Sequence, residues 1–380
     1  MVMCKISFEN NNSGIFYSGS TINGIVEITL DKQTNVRSIL LIIIGEANVH
    51  WSEIDEVNDR RKTISYSANE NYINTTTILH GSTNGSTVTI SPGTHIYKFV
   101  CALPPELPSS IEGYDGRIRY SAKVVFDRPL KFNKTFITGI TIIQITDLNI
   151  IENPQIRLPS TSKSKKKFWC RRFPNRPLTV EGTIPKSGYV SGECITVSFK
   201  LFNTYGKRVQ HFSVSLKQLI NSQSDNPKSK SKVQTITLTK EIIDFVENTQ
   251  EEFFQTSLLI PPVPPTCDEK TCRIIQVHYE IHIKVHVSGR RTGPVVEIPL
   301  IIGNVPLISN NQIQNQVSQS INSLLPRQRT PEICAAEFGL SPPSYEEPTY
   351  IEKVDMNVNE EHPIGESTYL PRYPVFKFNQ

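Results

Sequence analysis

Hydrophobic and polar residues alternate along much of residues 1–307, the pattern typical of half-buried β-strands. In the segment 117–126, every second residue from Ile118 to Phe126 is apolar or aromatic, and arginine, serine and lysine fill most positions between them. The segment 274–287 alternates in the same way from Val277 to Val287. No stretch of similar length keeps a helical period, so the pattern predicts an all-β fold.

The two halves of this β region resemble each other in order. Three pairs of segments match: "YSGSTINGIV" (17–26) with "VSGECITVSF" (190–199), "ALPPELPSS" (102–110) with "LIPPVPPTC" (259–267), and "IRYSAKVVF" (118–126) with "VHYEIHIKV" (277–285). Similar segments that recur in one order are typical of tandem domains with related topology. The sequence therefore predicts a duplicated β domain.

Changes in composition place the boundaries of these units. We predict a first domain over 1–151, a connector over 152–177 that is rich in proline, serine and basic residues, and a second domain over 178–307. Residues 308–380 begin with an Asn-, Gln- and Ser-rich stretch and contain too few apolar residues to predict a packed core. We expect a disordered tail there.

Charge, cysteine content and motifs narrow the functional classes. A formal net charge of +4 over 380 residues gives no global attraction to nucleic acid. The N-terminus lacks the pattern of a signal peptide, and the apolar run 39–45 is too short to span a bilayer. The seven cysteines are scattered, match no common zinc spacing and predict reduced thiols in the cytosol. We find no catalytic motif and expect no enzyme activity, metal or cofactor.

The order of the motifs resembles a known family. The segments "YSGSTINGIV", "LIIIGEANVHW" (41–51) and 91–129 resemble an arrestin N-domain, and "KSGYVSGECITVSFKLFN" (186–203), "IPPVPPT" and "IPLIIGNVPL" (298–307) resemble an arrestin C-domain. The pattern is most similar to the α-arrestins, in which two arrestin domains precede a flexible tail with PPxY motifs. The resemblance implies two antiparallel β-sandwiches joined at a hinge, and no catalytic centre.

The tail contains the sequence "PPSY", formed by Pro342, Pro343, Ser344 and Tyr345. Proline restricts its own φ and favours an extended preceding residue, so the pair predisposes the chain to polyproline II. WW domains bind such a turn in an aromatic groove, and the single spacer places Tyr345 on the same side as the prolines. We predict a WW-domain site at Pro342, Pro343 and Tyr345.

Two weaker copies follow this motif. The sequence "LPRY" keeps an apolar residue before its proline, so Leu370, Pro371 and Tyr373 form a candidate second WW site. The sequence "EPTY" (347–350) lacks the first proline and is the poorer match. Two linked sites would raise the avidity for a partner with several WW domains.

The connector concentrates basic residues without an intervening acid. Its candidate anionic-partner patch consists of Lys163, Lys165, Lys166, Lys167, Arg171 and Arg172. Three interpretations stay open: a solvated loop, a surface for phosphorylated partners or anionic lipid, and a nuclear localisation signal.

Two other sequences invite a functional reading. His278, His282 and His286 recur every four residues, but on a strand that spacing separates neighbours by roughly 13 Å, too far to share one zinc ion. We predict a solvated or sheet-facing polar row. The sequence "PPVPP" (261–265) is similar to an SH3 ligand, but it aligns with the proline-rich stretch of the first domain, so we predict a structural loop.

Together these features predict a non-enzymatic adaptor. The resemblance implies that the arrestin module binds cytoplasmic parts of membrane receptors or transporters, and that the tail recruits WW-domain HECT-type ubiquitin ligases. We expect a cytoplasmic protein recruited to the plasma membrane and endosomes by peripheral association. The alternative is a scaffold that desensitises receptors without recruiting a ligase.

Overall fold

A computed structural model describes most of the chain. The described residues are 2–9, 11, 13–57, 60–82, 85–151, 153–167, 177–203, 209–244, 251–289, 293–308, 330–337, 339–356 and 368–378. They form two β-sandwich domains in tandem and a set of short C-terminal elements that pack against both domains. No helix in these residues is long and apolar enough to cross a bilayer.

The first domain is a sandwich of two sheets. Its strands are β1 (Val2–Phe8), β2 (Ile15–Tyr17), β3 (Thr21–Leu30), β4 (Thr34–Val36), β5 (Ser38–Val57), β6 (Arg60–Gly81), β7 (Val88–Ile90), β8 (Gly93–Ala102), β9 (Ile111–Glu112), β10 (Gly116–Asp127) and β11 (Lys134–Ile143). One sheet has the order β1-β3-β8, and the other has the order β2-β11-β10-β5-β6, with β9 beside β10. Strands β4 and β7 form a separate pair.

The second domain repeats this topology. Its strands are β12 (Ser160–Lys167), β13 (Pro177–Ile184), β14 (Gly188–Val190), β15 (Cys194–Asn203), β16 (Val209–Ser224), β17 (Lys230–Asp244), β18 (Glu251–Leu259), β19 (Ile275–Val287) and β20 (Val295–Gly303). The order β13-β15-β18 corresponds to β1-β3-β8, and the order β14-β20-β19-β16-β17 corresponds to β2-β11-β10-β5-β6. The short strands β2 and β14 each pair in parallel with the last strand of their domain. The predicted all-β duplication is confirmed.

The alternation that predicted β10 and β19 is the alternation of burial in the structure. Ile118, Tyr120 and Val124 are buried on one face of β10, and Val277, Tyr279 and Ile283 are buried on one face of β19. Each of these strands lies inside its sheet, with a neighbour on both sides. The apolar residues at every second position of these strands are therefore the residues that face the sandwich core.

A buried tyrosine fixes the proline-rich loop in each domain. The Tyr120 hydroxyl donates a hydrogen bond to the Pro108 carbonyl at 2.7 Å, and the Tyr279 hydroxyl donates one to the Pro264 carbonyl at 2.6 Å. Both tyrosines are 1% exposed. Residues 262–265 of "PPVPP" are buried. This sequence is therefore a structural loop, as predicted, since three of its four prolines are buried and cannot enter the groove of an SH3 domain.

The long hairpin of β5 and β6 reaches the second domain. The backbones of Ser67 and Asn226 exchange two hydrogen bonds, of 2.8 and 3.0 Å. Lys232 forms a 2.8 Å ion pair with Asp115, whose carbonyl accepts a hydrogen bond from the His50 amide of β5. The Arg273 guanidinium lies 3.1 Å from the Glu70 carboxylate. These contacts join the two sandwiches directly.

The connector differs from the loop that its composition suggested. Pro154–Arg157 forms a 3₁₀ turn, and Ser160–Lys167 forms the edge strand β12, which pairs with β13 over eight residues. An edge strand needs few apolar residues because its backbone is satisfied by one neighbour, and lysines on it discourage further strand pairing. Composition alone did not reveal this strand because serine and lysine are poor strand formers.

The described part of the tail differs from the expected disordered segment. It forms helix α1 (Pro331–Glu337) and the strands β21 (Ser344–Glu346), β22 (Val354–Asp355), β23 (Thr368–Tyr369) and β24 (Tyr373–Val375). Strand β21 pairs with β24, and β22 pairs with β23. The aromatic residues Tyr369, Tyr373 and Phe376 of this segment are buried against the domains and supply the apolar area that the tail alone lacks. Residues 309–329 and 357–367 lie outside the described residues.

We expect Tyr120→Phe to destabilise the first domain by about 1–2 kcal/mol, because the buried Pro108 carbonyl loses its hydrogen-bond donor. Thermal unfolding followed by circular dichroism measures the effect, as a lower melting temperature of roughly 2–4 °C per kcal/mol. Tyr114→Phe is the matched control, since Tyr114 is 85% exposed. Equal melting temperatures for the two variants would contradict a stabilising role for the tyrosine–proline contact.

Candidate functional site in the C-terminal segments

The structure brings the two predicted WW motifs together. In the antiparallel pair of β21 and β24, Tyr345 lies opposite Pro374 and Glu346 lies opposite Tyr373. The end of "PPSY" is therefore hydrogen-bonded to the segment that follows "LPRY". Because a strand pair is formed and lost as a unit, the two motifs share one local structure.

The Tyr345 phenol lies in a three-residue hydrogen-bonded cluster. It donates to the Glu332 carboxylate on α1, and it contacts the hydroxyl of Tyr17 on β2. The Tyr17 hydroxyl donates to the same carboxylate at 3.0 Å. Burial, followed by the hydrogen bond to Glu332, raises the pKa of Tyr345 well above its usual range. The ring that a WW domain would bind is thus held by α1 and by the first domain.

The prolines of the first motif are only partly accessible. Pro342 is exposed, whereas Pro343 is buried and Ser344 and Tyr345 are half-buried. The Ser344 hydroxyl donates to the Glu346 carboxylate at 2.7 Å. A WW domain needs both the proline pair and the tyrosine ring, so only part of the predicted site faces solvent.

The second motif is almost completely enclosed. Leu370 is 7% exposed, Tyr373 is 1% exposed, and Pro371 is also buried. The Tyr373 hydroxyl donates a 2.8 Å hydrogen bond to the carbonyl of Ser110 in the first domain. Burial raises the pKa of Tyr373 well above its usual range, so the phenol stays neutral. This motif is a buried contact as well as a candidate ligand.

Tyr369 packs flat against a glycine of the first domain. A Cβ atom on Gly139 would lie 2.4 Å from the Tyr369 ring, so only glycine leaves room for it. The Tyr369 hydroxyl donates to the Ile140 carbonyl at 3.0 Å, and burial raises the pKa of Tyr369 to about 12. The absence of a side chain at Gly139 therefore leaves the space that the Tyr369 ring occupies.

Phe376 binds the second domain and the connector. Its amide donates a 3.0 Å hydrogen bond to the Ser191 carbonyl, and its own carbonyl lies 1.9 Å from the position of a Cβ on Gly192. Gly192 also has a φ of +92°, which favours glycine. The Phe376 ring belongs to a small apolar cluster with Leu148, Ile156, Val190 and Ala335. The tail therefore crosses the junction between the domains.

We call the surface that receives these residues the tail groove. It is formed by Tyr17, Ser110, Gly139 and Ile140 of the first domain and by Ser191 and Gly192 of the second. Its occupant is the tail segment 368–378 together with β21. Because both walls contribute, occupation of the groove depends on the arrangement of the two domains.

A buried ion pair lies near the groove. The Arg119 guanidinium contacts both oxygens of the Glu112 carboxylate, at 2.6 and 2.8 Å. The Glu112 side chain is 3% exposed and the Arg119 side chain 16% exposed. Truncating one partner of such a pair leaves an uncompensated charge and destabilises the fold strongly.

A cavity of about 890 Å³ lies between this ion pair and the tail. Its lining includes Arg117, Gln234 of the second domain, and Tyr350 and Lys353 of the tail. Burial and the neighbouring charge of Arg119 lower the pKa of Arg117. The same tail section contains a bridging carboxylate, Glu347. Burial by itself raises the pKa of Glu347, but the hydrogen bonds from Lys353 and Arg372 outweigh burial, so the pKa is lowered.

Comparison with known proteins identifies both domains. Residues 4–149 match the family model described as "Arrestin (or S-antigen), N-terminal domain", and residues 174–307 match "Arrestin (or S-antigen), C-terminal domain". The chain belongs to the arrestin family. The predicted family is confirmed, and the boundaries of the matches lie close to the limits of the two sandwiches.

Several of the similar proteins are named arrestin domain-containing proteins, as expected for an α-arrestin. Arrestin domain-containing protein 17 of Caenorhabditis elegans is 28% identical over 333 residues, 84% of this chain and 75% of the relative. Arrestin domain-containing protein 4 of Homo sapiens is 24% identical over 379 residues, 97% of this chain and 83% of the relative. Thioredoxin-interacting protein of Rattus norvegicus is 25% identical over 314 residues, 80% of this chain and 76% of the relative.

In this arrestin, the candidate WW residues lie beyond both domain matches. The tail groove, in contrast, is made of residues inside the matched domains, such as Gly139 and Ser191. The tail groove thus belongs to the two arrestin domains, whereas the tail that occupies it belongs to the segment after residue 307, outside both family matches.

The basic patch is divided by the geometry of β12. Lys163, Lys165 and Lys167 are exposed at alternate positions, whereas Lys166 is half-buried on the opposite face. The Lys163 ammonium lies 2.8 Å from the Glu181 carboxylate and 5.4 Å from the centre of the Phe202 ring. Arg171 and Arg172 lie outside the described residues.

The candidate histidine row occupies the outer side of β19. His282 contacts Glu280 at 2.8 Å, and His286 stacks on His211 with ring centres 4.2 Å apart. Burial, then the neighbouring positive charges, lowers the pKa of His286. Among the described residues, no group of three or more potential ligands is placed to hold a metal ion, and six of the seven cysteines are described as free thiols.

Sequence reasoning missed the residues that hold the tail. For the ion pair, the signal was the short hairpin "EGYDGRIR" (112–119): Glu112 lies opposite Arg117, and Arg119 is its diagonal neighbour on the same face. For the tail, the signal was the closely spaced set Tyr369, Tyr373 and Phe376 in the short apolar run 369–378, which ends an otherwise polar tail. No local pattern marks Gly139 or Gly192 as their partners.

Loss of the Glu332 carboxylate should release Tyr345. We expect Glu332→Ala to raise the amide exchange rates of residues 344–346 by about 10-fold or more, because a hydrogen bond to a charged group contributes roughly 1.5–3 kcal/mol. Hydrogen–deuterium exchange read by mass spectrometry measures this change. Glu332→Gln keeps an acceptor at the same position and should show a smaller increase. Unchanged exchange in the alanine variant would count against the cluster as a stabilising contact.

Proposed function

We propose that this arrestin is a non-enzymatic trafficking adaptor that links membrane cargo to WW-domain HECT-type ubiquitin ligases. The observation that carries the proposal is the combination of two arrestin domains with a "PPSY" sequence after them, at Pro342, Pro343 and Tyr345. In this proposal the arrestin domains bind cytoplasmic parts of receptors or transporters, and the tail binds the ligase. The outcome is ubiquitination, endocytosis and endosomal sorting of the cargo.

The physical basis is local concentration. A WW domain that binds a proline pair and a tyrosine makes a small contact, so we expect an affinity on the order of micromolar. A ligase held near the cargo experiences the cargo lysines at a high effective concentration. If "LPRY" also binds, through Leu370, Pro371 and Tyr373, a ligase with several WW domains gains avidity.

A second function also has support in the structure. A receptor-desensitising scaffold that recruits no ligase needs no accessible "PPSY" sequence. The burial of Pro343 and the hydrogen bonds of Tyr345 favour this alternative. The two proposals differ in whether the tail is a ligand or only a part of the fold.

Loss of the tyrosine should separate these functions. We expect Tyr345→Ala in the full chain to abolish recovery of HECT-type ligases in a pulldown from cells, because the WW tyrosine pocket is left empty. Thr349→Ala, at a nearby exposed position, is the control and should recover ligases as the wild type does. Equal recovery of ligases by wild type and Tyr345→Ala would favour the scaffold.

We also propose that the outer face of β12 contacts anionic lipid at the membrane. Lys163, Lys165 and Lys167 point to the same side, and Lys200 on β15 belongs to the same face, two strands away. Phe253, paired with Lys200, is 61% exposed there. A row of lysines beside an exposed aromatic ring suits a negatively charged bilayer surface. Peripheral recruitment of a cytoplasmic adaptor to plasma membrane and endosomes follows from this contact.

Neutralising the three lysines should weaken membrane binding. We expect the triple change Lys163→Gln, Lys165→Gln and Lys167→Gln to lower binding to phosphatidylserine-containing vesicles about 100-fold, at about 1 kcal/mol per lysine. Co-sedimentation with vesicles measures the loss.

The matched control replaces three other exposed lysines, Lys5, Lys98 and Lys131 of the first domain, with glutamine and has the same net charge. If both triple variants lost binding equally, the attraction would arise from net charge and not from the β12 face.

A further inference from the structure

Docking of the tail in the tail groove and binding of a WW domain to the same tail exclude each other geometrically. The Tyr345 phenol donates to Glu332, and the backbone of residues 344–346 is paired with residues 373–375. WW recognition requires a polyproline II backbone and a free tyrosine ring. A WW domain therefore cannot bind "PPSY" while β21 stays paired with β24.

The contact extends far beyond the motif itself. Tyr369, Tyr373 and Phe376 insert into both domains, and each is less than one-tenth exposed. Two of the three are seated where a glycine leaves space: Tyr369 over Gly139, and the Phe376 backbone over Gly192. Burying three aromatic side chains gives the tail a specific docked position, with a favourable free energy that is independent of "PPSY".

The tail elements are short, which keeps this position reversible. Strands β21 and β24 have three residues each, and β22 and β23 have two each. Such small units open locally at a free energy far below that of global unfolding. A partner that binds the open form with micromolar affinity has enough free energy to compete with them.

We propose that the tail groove closes the WW-binding sites in the resting protein, and that β21, β24 and the Tyr369–Phe376 segment undock together to open both motifs. This proposal rests on the proposed function, since it assigns a regulation to the same "PPSY" site. Ligase recruitment then reports the state of the groove. Because "LPRY" overlaps the docked segment, its Tyr373 becomes available in the same step that frees Tyr345.

The fraction of molecules with a docked tail determines how much the tail groove weakens WW-domain binding. The apparent affinity for a WW domain is the intrinsic affinity multiplied by the fraction of open protein. A protein that is open about one-tenth of the time binds a WW domain roughly tenfold more weakly than an isolated "PPSY" peptide does. Displacing the tail should remove this difference.

Two variants open the groove without altering either motif. Gly139→Val places a side chain where the Tyr369 ring lies, and valine is favourable in a strand such as β11. Phe376→Ala removes the ring from the apolar cluster at the domain junction. One change is on the groove and the other on its occupant, so a shared result cannot come from damage to one of them. Tyr114→Ala, at an exposed position, is the control.

The experiment titrates a purified WW domain of a HECT-type ligase into six samples. These are a synthetic peptide of residues 338–352, the wild-type full chain, the three full-chain variants, and Gly139→Val combined with Tyr345→Ala. We expect the peptide, Gly139→Val and Phe376→Ala to bind about tenfold more tightly than the wild type and Tyr114→Ala. Adding Tyr345→Ala to Gly139→Val should reverse the gain, because the binding then lacks its tyrosine.

Hydrogen–deuterium exchange on the same samples tests whether the tail opens as one unit. The three atoms nearest to a Cβ on Gly139 all belong to Tyr369, yet we expect Gly139→Val to accelerate exchange in residues 344–346 as well as in 368–376. Acceleration confined to residues near Tyr369 would overturn the shared opening. Thermal unfolding confirms that each variant keeps its sandwiches, and Phe376→Ala decides the question if Gly139→Val does not fold.

The outcomes separate the two proposals. If the peptide and the wild-type chain bind the WW domain equally, the groove does not close the motif, although the adaptor function stands. Faster tail exchange in the variants without tighter WW binding leads to the same conclusion. If the peptide itself does not bind, the ligase-recruiting function fails, and closure of the motif fails with it.

Discussion

The close approach of the tail backbone to Gly192 constrains the whole arrangement of this arrestin. No side chain fits at that position, because a Cβ would lie 1.9 Å from the Phe376 carbonyl oxygen. With the backbone held there, the Phe376 ring fills the apolar cluster that contains Leu148 of the first domain and Val190 of the second. The contact between Gly192 and the Phe376 backbone thus both places the Phe376 ring at the domain junction and holds the nearby WW motifs against the domains.

The sandwiches supply a rigid surface for this contact because each contains the same internal restraint. A fully buried tyrosine on the central strand holds the proline-rich loop in both domains, by Tyr120 to Pro108 and by Tyr279 to Pro264. The next residues of the first loop include Ser110, whose carbonyl accepts from Tyr373. In the first domain, the tyrosine–proline hydrogen bond therefore also holds in place the Ser110 carbonyl that accepts from Tyr373 of the tail.

The charges near the groove have a different role from the apolar contacts. The bidentate pair of Glu112 and Arg119 is enclosed, so its favourable interaction is largely offset by desolvation. A buried pair of this kind is therefore weak evidence for a net gain in stability. Glu347, bonded by Lys353 and Arg372, keeps the two sides of the tail together at its more exposed edge. The buried aromatic residues Tyr369, Tyr373 and Phe376 thus make the contacts with the domains, and the ion pairs of Glu347 connect parts of the tail itself.

Sequence reasoning succeeded where the physical signal is local. The period-two alternation of β10 and β19 predicted their buried faces, and the repeated segments predicted the duplicated topology, because each pattern is set by neighbours along the strand. It failed at β12, whose serines and lysines form a strand only because β13 offers a backbone partner. In the described part of the tail it missed the short elements of residues 331–375, because a few aromatic residues spread along a tail do not predict a core.

The amino-acid sequence by itself determined the two β-sandwiches, their order and the presence of a proline–tyrosine motif after them. Only the tertiary structure decided that this motif is docked and half-buried. Tyr373 and Ser110 are 263 residues apart, and Tyr17 and Tyr345 are 328 apart. Contacts at such separations depend on a groove that exists only after both domains have folded, and no local pattern of hydrophobic and polar positions encodes it.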